Sequence, residues 1–77
     1  MKDLKMYTQE EVCDMLNIHV QTLVMYREIG IIKPIKTGKN YMFSRNSIER
    51  FQKDYEGLDV SNRVKAIESY ERVNNTN

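Results

Sequence analysis

Gly30 and the segment that follows it limit the fold most strongly, because Gly30 ends one helix and Pro34 does not allow another to begin. Gly30 suits the left-handed backbone position that closes a helix, and Pro34 lacks the amide that a helix interior needs. Residues 34–43 instead predict two short strands joined by a turn at Thr37–Asn40. Residues 20–29, ahead of Gly30, have helical spacing. The sequence therefore predicts a helix followed at once by a β-hairpin.

A shorter helix is predicted ahead of this one. Thr8 and Glu11 have the spacing of a capping box, in which each side chain accepts a hydrogen bond from the backbone of the other residue. Asn17 suits the end of this helix. Its apolar stripe is expected at Val12, Met15 and Leu16, with Cys13 beside it. Since residues 17–19 form a three-residue break, the two helices have the proportions of a helix-turn-helix.

The second helix, residues 20–29, has two possible inward faces. They are Leu23, Tyr26 and Ile29, or Leu23, Val24 and the stem of Arg27. A third helix is predicted from the cap residue Ser44 to about Tyr55, with Gly57 as its stop. Its buried pair is expected to be Ile48 and Phe51.

The C-terminal part of the chain predicts one more helix, which should open at Asp59 or Ser61. A domain of 77 residues needs apolar area for its core, so this helix is expected to pack on the rest of the chain. The residues expected on its inward face are Val60, Val64 and Ile67. The polar tail, residues 74–77, is expected to fray.

Residue content argues against several classes of protein. The sequence has no run of about 18 apolar residues that could span a membrane and no apolar signal segment. The single Cys13 cannot form an internal disulfide, so a cytoplasmic protein is expected. His19 is the only histidine and has no cysteine cluster around it, so we expect neither metal nor cofactor. The sequence shows no nucleophile–base pair and no glycine-rich phosphate loop, so an enzyme is not expected.

The net charge of +1 is unevenly distributed along the chain. Residues 19–45 carry five basic groups and one acidic group, a net charge of +4. Residues 1–18 have a net charge of −2, and residues 46–77 have a net charge of −1. Binding to phosphate requires such a local concentration of positive charge. A solvated loop with several lysines would give the same count, so charge alone leaves both interpretations open.

Two stretches of the chain resemble known families of DNA-binding proteins. The run YTQEEVCDMLNIHVQTL…REIGIIKP resembles the start of MerR-family regulators, and TGKNYMFSRNSIERF resembles the close of small excisionase-type domains. Together they cover residues 7–55. The positions in step are Thr22, Leu23, Tyr26, Ile29, Gly30 and Pro34. The resemblance implies a mainly α fold with a small β-hairpin, a winged helix-turn-helix, over residues 1–57, followed by a short helix and tail over residues 58–77.

In both families such a domain binds double-stranded DNA, and the resemblance places the start of the second helix at the base edges. Gln21 could read an adenine, Thr22 could touch a phosphate or a thymine methyl, and His19 could donate to a phosphate or a base. Helix capping would explain Thr22 and His19 equally well.

Seven further residues are candidates for contact with the DNA backbone. Tyr26 is expected to be structural with its hydroxyl free for a phosphate, and Arg27 is either a phosphate contact or an ordinary ion-paired or solvated residue. Thr8, at the start of the first helix, could offer backbone amides to a phosphate. On the hairpin, Lys36, Lys39 and Asn40 either reach phosphates or the flanking minor groove or form a merely solvated tip. Arg45, after the hairpin, is a further backbone candidate.

The chain departs from both families at three positions. MerR proteins usually carry Arg and Tyr where this chain has Val24 and Met25, and both families usually carry Arg in place of Met42. These losses predict weaker binding by each copy or dependence on neighbouring copies. They also keep open a protein-binding module that has lost DNA contact, with Val24 and Met25 as its adaptable surface.

The resemblance and the size of the chain favour an excisionase-like role, that of a directionality factor in the recombination of a mobile element. Its partners would be DNA, an integrase or recombinase, and further copies of the chain. The alternative within DNA binding is a small phage or plasmid transcriptional regulator or a segregation adaptor. No membrane partner and no small-molecule effector are expected.

Overall fold

A short strand, two neighbouring helices, a β-hairpin and two further helices follow one another in the chain. The computed structural model describes residues 5–75. The elements are β1 (Met6–Thr8), α1 (Gln9–Leu16), α2 (Val20–Ile29), β2 (Ile35–Thr37), β3 (Asn40–Ser44), α3 (Arg45–Asp54) and α4 (Arg63–Asn74). The predicted order of helices and hairpin is confirmed. Strand β1 is an addition that no local pattern predicts.

Local capping chemistry fixes the ends of α1 and α2. Thr8 and Glu11 form both bonds of the predicted capping box at the start of α1. Asn17 ends α1 with a φ of 56°, and Gly30 ends α2 with a φ of 102°. Both residues lie in the left-handed region, which short polar residues and glycine adopt at least cost. The reversal at Asn17 directs the chain from α1 into the turn before α2, and the reversal at Gly30 directs it from α2 towards the hairpin.

The sheet has the order β1-β3-β2, with both pairings antiparallel. Gly38 and Lys39 form the turn between β2 and β3, and Gly38 adopts a φ of 89° there. Tyr7 pairs with Phe43, and Lys36 pairs with Tyr41. Because residues two apart on β3 share a face, the side chains of Tyr41 and Phe43 lie on the same side of the sheet.

The core lies between this sheet face and the helices. Its fully buried large side chains are Val12, Leu23, Ile32 and Phe43. On α2, Leu23 and Tyr26 are buried and Ile29 packs beside them, so the first of the two predicted inward faces is confirmed. The expected apolar stripe of α1 is wrong at Met15, which is 49% exposed, because Val12 and Cys13 fill the contact with the core.

Helix α3 adds Ile48 and Phe51 to the same core. The hydroxyl of Ser44 accepts a hydrogen bond from the Ser47 amide, which confirms the predicted cap. Ile48 is buried, and the ring of Phe51 lies 5.5 Å from that of Tyr26 and 5.6 Å from that of Tyr55, centroid to centroid. The helix ends at Asp54 with Tyr55 as its cap, which confirms the predicted end at about Tyr55. Gly57 is not the cap itself but adopts a left-handed φ of 82° in the turn that follows.

Helix α4 packs on α2, but through a different face from the predicted one. Its N-cap is Asn62 rather than Asp59 or Ser61, because the carboxylate of Asp59 accepts two hydrogen bonds from Ser61 in the preceding turn. Val64 is 66% exposed and Ile67 is 39% exposed, so the expected inward position of these two residues is wrong. The residues of α4 that pack inward are Ala66, Ser69, Tyr70 and Val73.

Small residues explain this choice of face. Ala66 is fully buried, and the hydroxyl of Ser69 donates to the carbonyl of Asp59 at 2.7 Å. A Cβ added to Gly30 would lie 3.3 Å from the ring of Tyr70. The close approach of α4 to α2 therefore favours Gly30, Ala66 and Ser69 at the contact and leaves Val64 and Ile67 outside.

The end of the chain is partly described. Asn74 is the last residue of α4, and its side-chain amide donates to the carbonyl of Tyr70, so the expected fraying does not include it. Thr76 and Asn77 lie outside the described residues. The division of the chain at residue 57 stays a prediction. Between residues 5 and 75, no helix has both the length and the apolar character needed to span a membrane.

Candidate nucleic-acid interface

The first turn of α2 presents polar side chains that the fold does not use. His19 is the N-cap residue with extended backbone, but its side chain makes no capping hydrogen bond. Gln21 and His19 are exposed, and Val20 beside them is 45% exposed. Capping by the side chain therefore does not account for His19. Thr22 is half-buried, with its amide bonded to the carbonyl of His19.

Tyr26 is part of the core and not of a binding surface. Its side chain is 4% exposed, and its hydroxyl donates to the carbonyl of Val60 at 3.1 Å. Burial, and to a lesser degree the charge of Asp59, raises the pKa of Tyr26. The expectation that this hydroxyl is free for a phosphate is wrong, because it already donates its hydrogen bond to Val60, between α3 and α4.

Arg27 connects α2 to the hairpin. Its guanidinium carbon lies 4.0 Å from the centroid of the Tyr41 ring, a cation–π contact. Its Nε atom is enclosed and has no hydrogen-bond partner among the described residues. The neighbouring Glu28 pairs instead with Arg63 on α4, at 3.4 Å. Among residues 5–75, Arg27 is therefore held by an aromatic ring and not by a carboxylate.

The wing is the hairpin β2–β3 with its turn, residues 35–44. Lys36, Lys39 and Asn40 are all exposed, as the sequence predicts for a surface arm. The ammonium of Lys36 lies 5.7 Å from the centroid of the same Tyr41 ring. Lys39 and Asn40 stand at the tip, where they line a shallow groove with the start of α1. Contact of these three residues with DNA stays a prediction.

The start of α1 already has bonds for two of its amides. The amide of Thr8 donates to the carboxylate of Glu11 at 2.9 Å, and the Glu11 amide donates to the Thr8 hydroxyl. Glu10 and Glu11 also place two carboxylates in this first turn, where they repel a phosphate. The amide of Thr8 itself is therefore not free for a phosphate, and contact of this helix start with DNA stays a prediction.

Arg45 lies apart from the other basic candidates. It follows β3 at the end opposite to the wing tip and forms an exposed ion pair with Glu49 at 3.3 Å. An exposed pair at this spacing on a helix contributes little to stability and can exchange partners. The structure thus brings Arg27 and Lys36 together and leaves Arg45 at a distance along the strand.

One surface contact was missed by sequence reasoning. Tyr41 has the pattern of a strand residue, yet its ring contacts both Arg27 and Lys36. Counting back across the Gly38 turn would have paired Tyr41 with Lys36, but the contact with α2 depends on tertiary packing. Val20 is exposed directly beside Gln21, as expected for the first turn of α2.

The described residues offer few groups suited to covalent chemistry or metal binding. Burial, followed by the charges of Asp14 and Glu10, raises the pKa of the Cys13 thiol and disfavours its reactive thiolate. In the part of the chain that the structure describes, no cluster of three or more His, Cys, Asp or Glu side chains could hold a metal ion.

Two helices joined by a three-residue turn, a third helix and a hairpin beside the second helix together define a winged helix-turn-helix domain. A family model for the helix-turn-helix domain matches residues 6–55, from β1 to the cap of α3. The chain belongs to this family, whose members are typically non-enzymatic DNA-binding domains. A search of curated proteins found no match. A search of solved structures found none either.

Proposed function

We propose that this chain binds double-stranded DNA in a sequence-specific way, with the first turn of α2 in the major groove and the wing on the adjacent backbone or minor groove. The observation that carries the proposal is that polar side chains in that turn are exposed and have no hydrogen-bond partner among the described residues. His19 and Gln21 are exposed and form no side-chain hydrogen bond with the described residues. Base edges in the major groove are suitable partners for such groups.

The charge distribution supports the same orientation. Arg27 on α2 and Lys36 on the wing share one aromatic contact, which joins two basic elements beside the exposed turn. Contacts with phosphates fix the register of a protein on a duplex, whereas contacts with base edges select its sequence. On this arrangement, Gln21 selects an adenine and Val20 lies where a thymine methyl can be contacted.

The finer proposal is an excisionase-like role. It is supported by the resemblance of TGKNYMFSRNSIERF to the close of excisionase-type domains and by a helix and wing that can grip the duplex on two sides. Such two-sided contact is compatible with DNA bending, whose cost of a few kcal/mol is offset by additional contacts. Integrase or further copies on DNA would be partners in this role.

Selection of binding sites from a random duplex pool tests the proposal. An enriched motif would establish sequence-specific binding, and tandem direct copies within it would favour the excisionase-like role. An inverted pair would favour a dimeric transcriptional regulator. If no motif were enriched even at low salt, the placement of α2 at the base edges would be rejected and the protein-binding module would become the leading alternative. Its proposed surface is already reduced, since Met25 packs against the core.

Replacing Gln21 tests the position of α2 on a selected site. Gln21→Ala should weaken binding to that site by about 1–3 kcal/mol at one base step and should affect non-specific binding less. Fluorescence anisotropy with the selected site and with single-base variants measures the difference. Gln52→Ala, which changes an exposed glutamine on α3, is the matched control and should leave affinity unchanged. Equal affinities for Gln21→Ala and wild type would place α2 outside the groove.

A further inference from the structure

Three elements meet at the ring of Tyr41. The guanidinium of Arg27, on α2, lies 4.0 Å from the ring centroid, and the ammonium of Lys36, on β2, lies 5.7 Å from it. Tyr41 itself is on β3, directly opposite Lys36 in the hairpin. The ring is half-buried and packs against the core, so its position is fixed. Two cations are thereby held beside a single rigid group.

Neither cation is neutralised by a carboxylate of the described chain. The Nε atom of Arg27 is enclosed and unpartnered, and Glu28, its neighbour in the chain, is paired with Arg63. A cation–π contact orients a guanidinium while leaving the charge itself uncompensated. Two uncompensated positive charges, 4.0 Å and 5.7 Å from one ring centroid, attract an anion to this part of the surface.

We propose that Tyr41 is a positioning residue that holds Arg27 and Lys36 for one phosphate of the DNA backbone. This proposal rests on the proposed function, because it names the backbone contact made where α2 and the wing meet. The phosphate takes charge-assisted hydrogen bonds from the guanidinium and the ammonium. Tyr41 contributes by fixing the two donors and not through its own hydroxyl.

Two substitutions of Tyr41 separate the role of its aromatic ring from that of its hydroxyl. Tyr41→Phe keeps the aromatic face and removes only the hydroxyl, so it should bind a selected duplex within about twofold of wild type. Tyr41→Leu keeps apolar bulk but removes the face that orients both cations. Its affinity should fall by about 5- to 30-fold, and the slope of log K against log salt should become shallower by about 1, since a lost phosphate contact contributes roughly 0.9.

The free protein provides a readout that does not depend on DNA. In wild type and Tyr41→Phe, the ring face should shift the Nε–H resonance of Arg27 upfield and slow its exchange with water. In Tyr41→Leu this resonance should lose the shift and exchange rapidly. Two-dimensional ¹H–¹⁵N NMR measures both properties. A resonance that is the same in all three proteins would overturn the positioning role.

A double-mutant cycle then connects position with binding. Arg27→Gln should weaken binding by about tenfold in the wild-type background and by less than twofold in the Tyr41→Leu background. Equal losses in both backgrounds would show that Tyr41 does not position Arg27. Tyr7→Leu is the matched control. Tyr7 lies on β1, which is separated from β2 and Lys36 by the central strand β3. Its ring contacts only Lys5 among the described cations, at 5.3 Å. It should leave the salt slope unchanged.

The possible failures are distinguishable. Intact wild-type binding, with an unchanged salt slope in Tyr41→Leu, would overturn this proposal alone. Absence of wild-type binding to any duplex at low salt would overturn the proposed function and this proposal together. If Tyr41→Leu does not fold, the cycle of Arg27→Gln with Lys36→Gln decides. A non-additive loss supports one shared phosphate, and an additive loss overturns it.

Discussion

The carboxylate of Glu11 gives the start of α1 a measurable dependence on pH. The hydrogen bond from the Thr8 amide lowers the pKa of Glu11 below its ordinary value of 4.5. A carboxyl group whose pKa is lower in the folded state stabilises the fold above its unfolded pKa. That contribution is lost as the pH falls from about 4.5 through the folded pKa.

Glu11→Gln should therefore flatten the acid side of the stability profile. The amide oxygen of glutamine can still accept from the Thr8 backbone, but it does not titrate in this range. Urea unfolding followed by circular dichroism at pH 7 and at pH 3 should show a smaller loss of stability than in wild type. Glu10→Gln changes the exposed neighbour in the same turn and is the control. Parallel losses in Glu11→Gln and wild type would show that this bond does not contribute.

At the scale of elements, the wing is expected to supply affinity without selecting sequence. Lys39 is exposed at the tip and has no aromatic or acidic partner among the described residues. Lys39→Ala should lower affinity to a similar degree on the selected site and on a scrambled duplex, and it should reduce the salt slope by about 1. Anisotropy titrations of both duplexes at several salt concentrations measure this.

The matched control for the wing is Lys65→Ala, which removes an exposed lysine from α4. It should leave both the affinity and the salt slope as in wild type. A loss confined to the selected site in Lys39→Ala would contradict this role, because it would make the wing tip a reader of sequence.

Elements defined by local chemistry were predictable, and those defined by distant contacts were not. Thr8, Ser44 and Gly30 mark helix ends through bonds and backbone angles within a few residues, so their patterns predicted α1, α2 and α3. Strand β1 forms only because Met6–Thr8 meets β3, more than 30 residues later in the chain. The contact of Arg27 with Tyr41 also depends on residues that are distant in the chain. The sequence therefore named Arg27 and Lys36 as separate candidates but did not predict that both contact Tyr41.

At the scale of the whole molecule, α4 completes the core of a small domain. The hydroxyl of Tyr26 is bonded just ahead of this helix, at Val60, and Ala66 is fully buried. Hydropathy favours Val64 and Ile67 as inward residues, but the close approach of α4 to α2 selects Ala66 and Ser69 instead. A packing constraint between two elements thus overrides the apolar pattern of one.

Enlarging Ala66 should therefore destabilise the protein. Ala66→Leu forces extra methylene groups into a filled contact, which typically costs about 1–3 kcal/mol. For a domain of this size, each kcal/mol lowers the melting temperature by roughly 4–8 °C. Thermal unfolding followed by circular dichroism measures the change. Since the total stability of such a domain is on the order of 5 kcal/mol, a loss of this size should also raise the unfolded fraction available to proteases.

Val64→Leu is the control, because it places the same side chain on an exposed position of the same helix. Its stability should stay within about 0.5 kcal/mol of wild type. If Val64→Leu were destabilising and Ala66→Leu neutral, α4 would be rotated so that its branched residues face inward, as the apolar pattern predicts. If both were neutral, α4 would not be packed on α2, and residues 6–55 would hold the core of the helix-turn-helix domain without it.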